Sequence, residues 1–419
     1  MTDIAPLSTS RTDLPVDPEV PEVAVLLGPD AEDLLGRVLG ELGTRLVSTR
    51  IMQVRYVPGR SVTVQYRIEG ERHDGGKTRD IFVASAGIDV PDHVPLLTAD
   101  GIEVAVWRFP HDPFLPGLAP ASDPDQLRGV LGQLGVTADS VRLRTRAYRP
   151  GRRAVIEANA PGARIYIKVL RPSRVADLQR LHTAMAGSLP VPHSLGWSED
   201  LGLVAMQAMA GRTLRKALES GTKRLPTARQ LSALLDRIPT NDGASAVIGP
   251  RTRAPQHAGL LKAVLGPEFS SRIDAVVDAV GGDPIEAMVP VHGDFHTSQV
   301  LVKGPEIVGL IDVDTVGQGF RSDDFGSILG HLATLALISS SRRNLNRYGA
   351  GLIKEFETLV DPVQLRLAIA ASVFALATGP FRVHETNWPT QTLRRVSLAE
   401  GWIDSARNLA GDPTQHRTT

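Results

Sequence analysis

Apolar and polar residues alternate along the first half of this chain and recur at helical spacing along the second half. Alternation over short runs predicts half-buried strands, and a Pro-Gly pair between two such runs predicts the turn of a hairpin. Apolar residues three or four positions apart predict helices with one buried face. The predicted elements are hairpins over 56–64 and 148–156, a helix over 173–185, a strand over 204–209, and helices from 213 onward, of which 364–374 and 393–409 are amphipathic.

One of these patterns occurs twice. Tyr56–Val64 (YVPGRSVTV) recurs as Tyr148–Ile156 (YRPGRRAVI). Each copy continues to a second β-rich run, which ends in Ala84 in the first copy and in Lys168 in the second. We therefore predict two related β-rich units, of which only the second carries the lysine.

The composition excludes several classes of protein. The 46 Lys and Arg residues balance 46 Asp and Glu residues, so no net charge draws the chain to nucleic acid or to an anionic membrane. Without cysteine there is no disulfide framework, zinc finger or thiol protease. The N-terminus lacks a signal-peptide pattern, and the longest apolar candidate, 328–339, is too short to span a membrane. We expect a cytoplasmic protein without nucleic-acid or membrane partners.

The densest group of chemically active residues is His292–Gln299 (HGDFHTSQ), followed by Asp312. The apolar runs 300–301 and 308–311 predict a hairpin that brings Asp312 beside Asp294. Two carboxylates and an amide placed together in this way are typical of a site for phosphoryl transfer.

Other interpretations of the same residues remain open. An isolated His-Gly-Asp commonly forms only a turn, and an aspartate at the end of an apolar strand is often only a cap. Alternatively His292, Asp294 and His296 alternate along one strand face and bind a metal such as zinc, although no further ligand follows at a useful spacing.

The order and spacing of the motif resemble the protein-kinase catalytic loop H-R-D-x-x-x-x-N and the later D-F-G aspartate. Here Gly293 replaces Arg, Gln299 replaces Asn, and Val-Asp replaces Phe-Gly. This form resembles the aminoglycoside phosphotransferase and choline kinase family, and H-G-D-x-H-x-x-Q also resembles the maltokinase-like sugar kinases, which likewise carry an N-terminal cap. The resemblance covers residues 141 to about 335.

The resemblance implies an α+β protein with the two-lobed protein-kinase-like fold, a β-rich N-lobe and a helical C-lobe, preceded by a β-rich cap domain. The repeat then marks the cap as a degenerate N-lobe without the lysine. The predicted segments are a disordered tail (1–20), the cap (21–140), the N-lobe (141–209), the C-lobe with the catalytic loop (210–410), and a second disordered tail (411–419).

The resemblance also assigns roles to individual residues. Asp294, with His292 beside it, accepts the proton of an attacking hydroxyl. Gln299 and Asp312 hold Mg²⁺, and Lys168 pairs with the phosphates of the nucleotide. The remaining implied roles are adenine contacts by Gln207 and Met209, orientation of Lys168 by Asp177 in place of the family's glutamate, support of the catalytic loop by Asp324, and a phosphate-facing turn at 150–152.

The resulting prediction is an enzyme that transfers the γ-phosphoryl group of ATP, with Mg²⁺, to a hydroxyl of a small molecule. The alternative is a catalytically inactive pseudokinase-like binding protein, favoured by the missing glutamate, the Gln and the absent Asp-Pro before Asp324. Residues 330–419 contain ten Lys and Arg against seven Asp and Glu, which favours a neutral or anionic hydroxyl acceptor, such as a sugar or a polyhydroxylated metabolite, over a polycationic aminoglycoside. Trp388 and Phe381 are candidates for stacking on a sugar, or for core packing.

Overall fold

The computed structural model describes residues 14–99, 101–137, 139–240, 246–282 and 284–411. Two five-stranded antiparallel sheets form most of the N-terminal half, and helices form most of the remainder. The fold is the predicted one, an α+β protein with a two-lobed kinase-like arrangement and a β-rich N-terminal cap.

The cap consists of two helices and one sheet, in which the strands lie in the order first, second, third, fifth and fourth. Successive side chains of a strand point to opposite sides of the sheet. In the third strand of the cap, the side chains on both sides are buried. Phe82 packs with the cap helices, and Val83 packs toward the next sheet. The elements are α1 (Glu22–Leu27), α2 (Asp30–Glu41), β1 (Thr44–Val57), β2 (Ser61–Arg72), β3 (Lys77–Ala86), β4 (Leu96–Ala99) and β5 (Ile102–Arg108).

The N-lobe repeats this plan. Two helices again precede a sheet, whose order β6-β7-β8-β10-β9 matches β1-β2-β3-β5-β4 strand for strand. The N-lobe adds one helix between its third and fourth strands. The elements are α3 (Leu118–Ser122), α4 (Pro124–Gln133), β6 (Arg142–Arg149), β7 (Arg153–Ala160), β8 (Ala163–Leu170), α5 (Val175–Ala186), β9 (Ser194–Ser198) and β10 (Leu203–Gln207).

A buried aspartate holds the hairpin turn of the N-lobe. Asp112 Oδ2 accepts hydrogen bonds from the Tyr148 hydroxyl at 2.8 Å and from the Gly151 N–H at 2.7 Å, while Oδ1 accepts from the Phe114 N–H at 2.9 Å. Gly151 has a φ of +66°, a conformation that glycine adopts without strain. The Pro-Gly turn is therefore fixed from inside the protein.

The cap contains the same clamp. Asp17 Oδ2 accepts from the Tyr56 hydroxyl and from the Gly59 N–H, both at 2.7 Å, and its Oδ1 accepts from the Glu19 N–H at 3.1 Å. Sequence, strand order and side-chain bonding thus all repeat between the two units.

The structure corrects two details of the sequence-based division. The disordered tail predicted for 1–20 is wrong from residue 14 onward, because Asp17 and Val20 are buried in the cap; residues 1–13 and 412–419 lie outside the described ranges. The boundary predicted at 140 separates α3 and α4 from the N-lobe, although α3 packs on β7 and β8. The domain division itself stays a prediction.

The cap residue that corresponds to Lys168 is Ser85 and not Ala84. Lys168 is opposite Val155 in the N-lobe, and the matching pair in the cap is Thr63 and Ser85. The connection between β2 and β3 is longer than that between β7 and β8, and the cap residue equivalent to Lys168 lies one position later than the sequence repeat indicated. Ser85 Oγ lies 2.7 Å from Thr63 Oγ and is buried, so the cap has no cation at this position.

We expect Asp17→Ala and Asp112→Ala each to lower the free energy of unfolding by about 2–3 kcal/mol, because each leaves buried donors without an acceptor. Urea unfolding midpoints of the full chain measure the effect. Asp74→Ala is the control: Asp74 also accepts a turn N–H, from Gly76 at 2.8 Å, but is exposed, so the midpoint should hardly move. Equal losses of unfolding free energy at all three positions would contradict the role of Asp17 and Asp112 in holding the two turns.

The C-lobe begins after the hinge and is built on one large apolar core. Two small sheets lie within it, with strand orders β11-β13-β14 and β12-β15. The elements are β11 (Arg212–Thr213), α6 (Leu214–Glu219), α7 (Ala228–Leu235), α8 (Ala254–Leu265), α9 (Ser270–Val280), β12 (Val289–Val291), β13 (Val300–Lys303), β14 (Glu306–Leu310), β15 (Gly317–Gly319), α10 (Arg321–Ile338), α11 (Arg342–Phe356), α12 (Pro362–Ala377), α13 (Gly379–Arg382) and α14 (Trp388–Ala410).

Helix α12 buries residues on all of its sides and not along one face, so the amphipathic helix predicted over 364–374 is wrong. Leu365, Ile369 and Val373 are fully buried in the C-lobe core. Among the described residues, Pro362–Arg382 is the stretch long and apolar enough to cross a membrane, in place of the 328–339 segment considered from the sequence. A core helix also meets that criterion, and α12 packs between α10 and α14.

Candidate active site

The two lobes meet where Lys168 of β8 contacts the residues that follow β14. Strands β13 and β14 form the predicted hairpin, which ends just before Asp312. Lys168 Nζ donates to Asp312 Oδ1 at 2.8 Å and also contacts Asp314 Oδ2. The structure therefore joins residues 144 positions apart into one partly buried ion-pair group.

Asp312 is held in an unusual backbone conformation and in its charged form. Its φ of +59° and ψ of +46° are left-handed, which is uncommon for residues other than glycine. Burial opposes ionisation, but the charges of Lys168 and Arg153 outweigh it and hold the pKa of the Asp312 carboxyl well below its usual range. Arg153 Nη1 lies 3.4 Å from Asp312 Oδ1 and 3.8 Å from Asp314 Oδ2.

Asp324, at the start of α10, fixes the beginning of the catalytic loop. Its two carboxylate oxygens accept from the backbone N–H groups of His292 at 2.7 Å and Gly293 at 2.9 Å. Gly293 has a φ of +78°, and a Cβ there would lie 2.6 Å from the Thr315 carbonyl oxygen. A side chain at this position would push the loop away from the segment that carries Asp312.

The His292 ring is fully buried and acts inside the loop. Its Nε2–H donates to the Ile311 carbonyl at 3.2 Å, and Nδ1 accepts from the Asp294 N–H at 3.3 Å. Both ring nitrogens are therefore occupied by protein contacts. The Asp294 side chain, in contrast, is 46% exposed and points toward solvent at the junction of the lobes.

The His296 side chain lies between Asp294 and Gln299, one of the two residues predicted to bind Mg²⁺. Its Nε2 lies 3.8 Å from Asp294 Oδ2 and 3.3 Å from Gln299 Nε2, and Gln299 Nε2 lies 3.3 Å from Asp312 Oδ2. Asp294, Gln299 and Asp312 therefore lie along one connected line of side chains, as the hairpin predicted.

The zinc interpretation of the motif does not fit this geometry. His292 cannot serve as a ligand, because both of its nitrogens are used. Asp294, His296 and His331 do place ligand atoms within 4.8 Å of one another, and the two imidazoles stack at 4.2 Å. However, the Ser298 N–H donates to His296 Nδ1 at 3.2 Å, which leaves the proton of the neutral ring on Nε2, the nitrogen that faces Asp294. That nitrogen has no lone pair for a metal.

The two stacked imidazoles are held neutral. Burial lowers the pKa of His331 to about 3, assisted by the charges of His296 and Arg215. Burial also lowers the pKa of His296, although the charge of Asp294 opposes it. The Nε2–H of His296 can then donate to the Gln299 amide oxygen once that amide is turned by half a rotation, whereas Asp294 Oδ2 lies 3.8 Å away, beyond hydrogen-bond distance.

Oxygen ligands suitable for Mg²⁺ are present at the predicted positions. Mg²⁺ prefers carboxylate and amide oxygens, and the ionised Asp312 lies beside the Gln299 amide, with the Asp314 carboxylate on the other side of Lys168. Asp314 Oδ1 is buried and has no hydrogen-bond partner among the described residues. The donor set therefore fits the ion that the resemblance implies.

Asp177 does not orient Lys168, and that prediction is wrong. Its side chain is 61% exposed and pairs with Arg180 on the outer face of α5. The inner face of α5 carries His182, which is buried near Lys168 and Asp314. An aspartate in the first turn of α5 points away from the lysine, and the second carboxylate on Lys168 comes from Asp314.

The predicted hinge follows β10. The N–H groups of Gln207 and Ala208 donate to the carbonyls of His193 and Arg164 at 2.8 and 2.9 Å, which fixes the backbone at the edge of the N-lobe sheet. The Met209 side chain packs at Gly309 of β14. The backbone carbonyls at 207–209 are thus placed between the lobes.

Trp388 and Phe381 are not available to stack on a substrate. They are 6% and 2% exposed, pack against each other at 5.1 Å, and belong to the same core as the cap helices. Core packing, the second interpretation from the sequence, is the correct one. Arg153 and Asp314 are the contacts that sequence reasoning missed, although both stand directly beside recognised motifs.

Comparison with known proteins identifies a family for most of the chain. Residues 79–356 match the sequence profile of the phosphotransferase enzyme family. No curated protein sequence matches the chain.

Several solved structures resemble this one. A thermostable mutant of aminoglycoside phosphotransferase APH(4)-Ia is 16% identical, with 68% of this chain and 99% of that chain covered and a TM-score of 0.48. Macrolide 2'-phosphotransferase MphH from Brachybacterium faecium is 16% identical over 65% of this chain and 97% of that chain, with a TM-score of 0.40. Spectinomycin phosphotransferase APH(9)-Ia is 12% identical over 68% and 98%, with a TM-score of 0.43.

Proposed function

Because this chain belongs to the phosphotransferase enzyme family, we propose that it transfers the γ-phosphoryl group of ATP to a hydroxyl of a small molecule. The family match confirms the resemblance seen in the motif, whereas the likeness to maltokinase-like enzymes stays a prediction. The observation that carries the proposal is the convergence of Lys168, Asp312 and Gln299 beside an exposed Asp294.

In this proposal Asp294 is the base. Its carboxylate is the exposed acid of the group, whereas Asp312 is engaged by Lys168 and Arg153. The acceptor oxygen forms a bond to the γ-phosphorus, the bond to the β–γ bridging oxygen breaks, the hydroxyl proton passes to Asp294, and ADP leaves. The neutral His296 ring presents its Nε2–H to this carboxylate from 3.8 Å, where it contributes electrostatically and not as a hydrogen-bond donor.

Lys168 and Arg153 supply the positive charge for the nucleotide phosphates. In the structure both cations contact Asp312 and Asp314, so a nucleotide would exchange some of these contacts for contacts to phosphate oxygens. Gln299 and Asp312 would hold Mg²⁺, which when bound neutralises charge on the β- and γ-phosphates. The hinge carbonyls at 207–209 would meet the adenine.

The pseudokinase alternative rested on the missing glutamate of α5, on Gln299 in place of Asn, and on the absent Asp-Pro before Asp324. The Gln299 amide nevertheless lies beside Asp312, at 3.3 Å from Oδ2. Asp314 places a second carboxylate on Lys168 without it, and Asp324 supports the loop despite the absent Asp-Pro. No observation of the site therefore favours an inactive protein over an enzyme.

A panel assay tests the proposal. Purified full-length protein is incubated with Mg-ATP and sugars, polyols, hydroxy acids, sugar phosphates and aminoglycosides, and ADP release and the mass of the products are followed. We expect one class of hydroxylated compound to gain a phosphoryl group, with sugars or polyhydroxylated metabolites ahead of aminoglycosides. Product formation that survives Asp294→Ala would sink the assignment of the base.

A further inference from the structure

Five arginines from three parts of the chain form a group at the mouth of the candidate site, here named the arginine cluster. Arg149 and Arg153 are opposite each other across the N-lobe hairpin, and Arg152 lies in its turn. Arg55 comes from β1 of the cap, and Arg382 ends α13 of the C-lobe, which contacts β1. The cap and the last helices thus reach the turn that the sequence predicted to face phosphate.

The guanidinium groups are close enough to repel one another. The pKa of Arg152 falls to about 10 through burial and through the charges of Arg55, Arg149, Arg153 and Arg382. The pKa of Arg149 is likewise lowered by burial and by the charges of Arg153 and Arg382.

Most of these charges have no acidic partner. Arg153 reaches Asp312 and Asp314. Within the described parts of the chain, the side chains of the other four make neither a hydrogen bond nor an ion pair with another residue. A group of cations that the protein leaves uncompensated is the arrangement that binds oxyanions, to which guanidinium groups donate two parallel hydrogen bonds.

Two members of the cluster lie beside the aspartates of the candidate site. Arg149 is within electrostatic reach of both Asp312 and Asp294, whose charges partly oppose the lowering of its pKa by burial and by the neighbouring arginines. Arg153 faces the Lys168 group, which is the expected position of the nucleotide phosphates. Arg382 and Arg55 are contributed from outside the N-lobe, by segments that touch each other.

We propose that Arg55, Arg149, Arg152 and Arg382 bind a phosphate or carboxylate group of the acceptor, so that the substrate is a hydroxylated metabolite carrying an acid group. This inference rests on the proposed phosphoryl transfer at Asp294 and narrows its substrate class. It also gives the cap a role, since the cap supplies Arg55. The repeat unit that lacks a counterpart of Lys168 thereby contributes to specificity.

The first test measures turnover of the full-length protein on matched pairs, each an uncharged hydroxyl compound and its phosphorylated or carboxylated counterpart. The acidic member of the productive pair should be the better acceptor. Arg55→Gln and Arg382→Gln should each raise KM for it by about tenfold or more, with KM for ATP within about twofold. Lysine at either position should restore part of the affinity.

The control is Arg144→Gln, which changes an exposed arginine of β6 outside the cluster. It should leave KM for the acceptor and KM for ATP unchanged. Preference for neutral or cationic acceptors, or a rise in KM for ATP in place of that for the acceptor, would overturn the proposal. The second of these results would assign the cluster to the nucleotide.

A binding test keeps the inference separate from the proposed function. With saturating Mg-AMP-PNP, inorganic phosphate should raise the Tm of the wild type and of Arg144→Gln, but not of the Arg55→Gln/Arg382→Gln double variant. Without phosphate the double variant should be at least as stable as the wild type, because repulsion is relieved; a purely structural role predicts a lower Tm. Phosphate binding without turnover on any acceptor would reject the transfer and leave the anion site standing. An unresponsive wild type would reject the anion site.

Discussion

Asp294→Asn is expected to lower kcat by about 10²–10⁴-fold, the usual contribution of a general base. The amide matches the carboxylate in shape, keeps the Asp294 N–H bond to His292, and cannot take the proton of the acceptor. Because Lys168, Asp312 and Gln299 are unchanged, the Kd for Mg-ATP should stay within about twofold of the wild type. Turnover is measured on the acceptor found in the panel, and the Kd is measured by calorimetry.

The matched control is Asp177→Asn. Asp177 is a surface carboxylate that was a plausible site residue from the sequence and lies on the outer face of α5. It should leave kcat, KM and the Kd unchanged. Near wild-type turnover of Asp294→Asn would require another base, and a large loss in Asp177→Asn would mean that α5 approaches Lys168 in the active form.

The motif was predictable because its parts are local. Asp294 and Gln299 share one loop, and the short β13–β14 hairpin leaves little freedom in where Asp312 can lie. Lys168 was predictable for a different reason. The two copies of the hairpin repeat are otherwise similar, and the second copy ends in Lys168 where the first has no lysine.

The partners of Lys168 were not predictable, because they depend on which face of a helix turns inward. Asp177 and His182 lie on the same short helix, and spacing alone does not decide which of them meets the lysine. The packing of α5 buries His182 and exposes Asp177, and Asp314 then supplies the carboxylate.

The contribution of the cap was also hidden in the sequence. Arg55 and Arg382 come together because Phe381 and Trp388 insert into the core of the cap. Contacts between the first sheet and the last helices leave no local pattern. From the sequence, Phe381 and Trp388 were candidates for stacking on a sugar or for core packing. In the structure they anchor the segment that carries Arg382.

Comparison of the cap with the N-lobe distinguishes residues that stabilise the fold from residues that the proposed reaction requires. Both units keep the aspartate clamp on the Pro-Gly turn and the same strand order, so these features serve the fold. Only the N-lobe has Lys168 on its third strand, α5 beside it, and the Lys168 contacts to Asp312 and Asp314. What differs between the copies is therefore what the proposed reaction requires.

The position of the metal is the remaining part of the proposal with a large expected effect. Asp312→Asn should reduce turnover by about 10³-fold, since it removes the anionic ligand and with it several kcal/mol of charge stabilisation in the transition state. It should also raise the Mg²⁺ concentration needed for ATP binding, a readout that calorimetry gives without catalysis. Asp314→Asn, two residues away and on the same lysine, is the matched variant. It removes a partner of Lys168 but not the carboxylate beside Gln299, so it should cost about tenfold in turnover and leave the Mg²⁺ dependence unchanged. If Asp314→Asn changes the Mg²⁺ dependence and Asp312→Asn does not, the metal is held by Asp314, and Gln299 is not among its ligands.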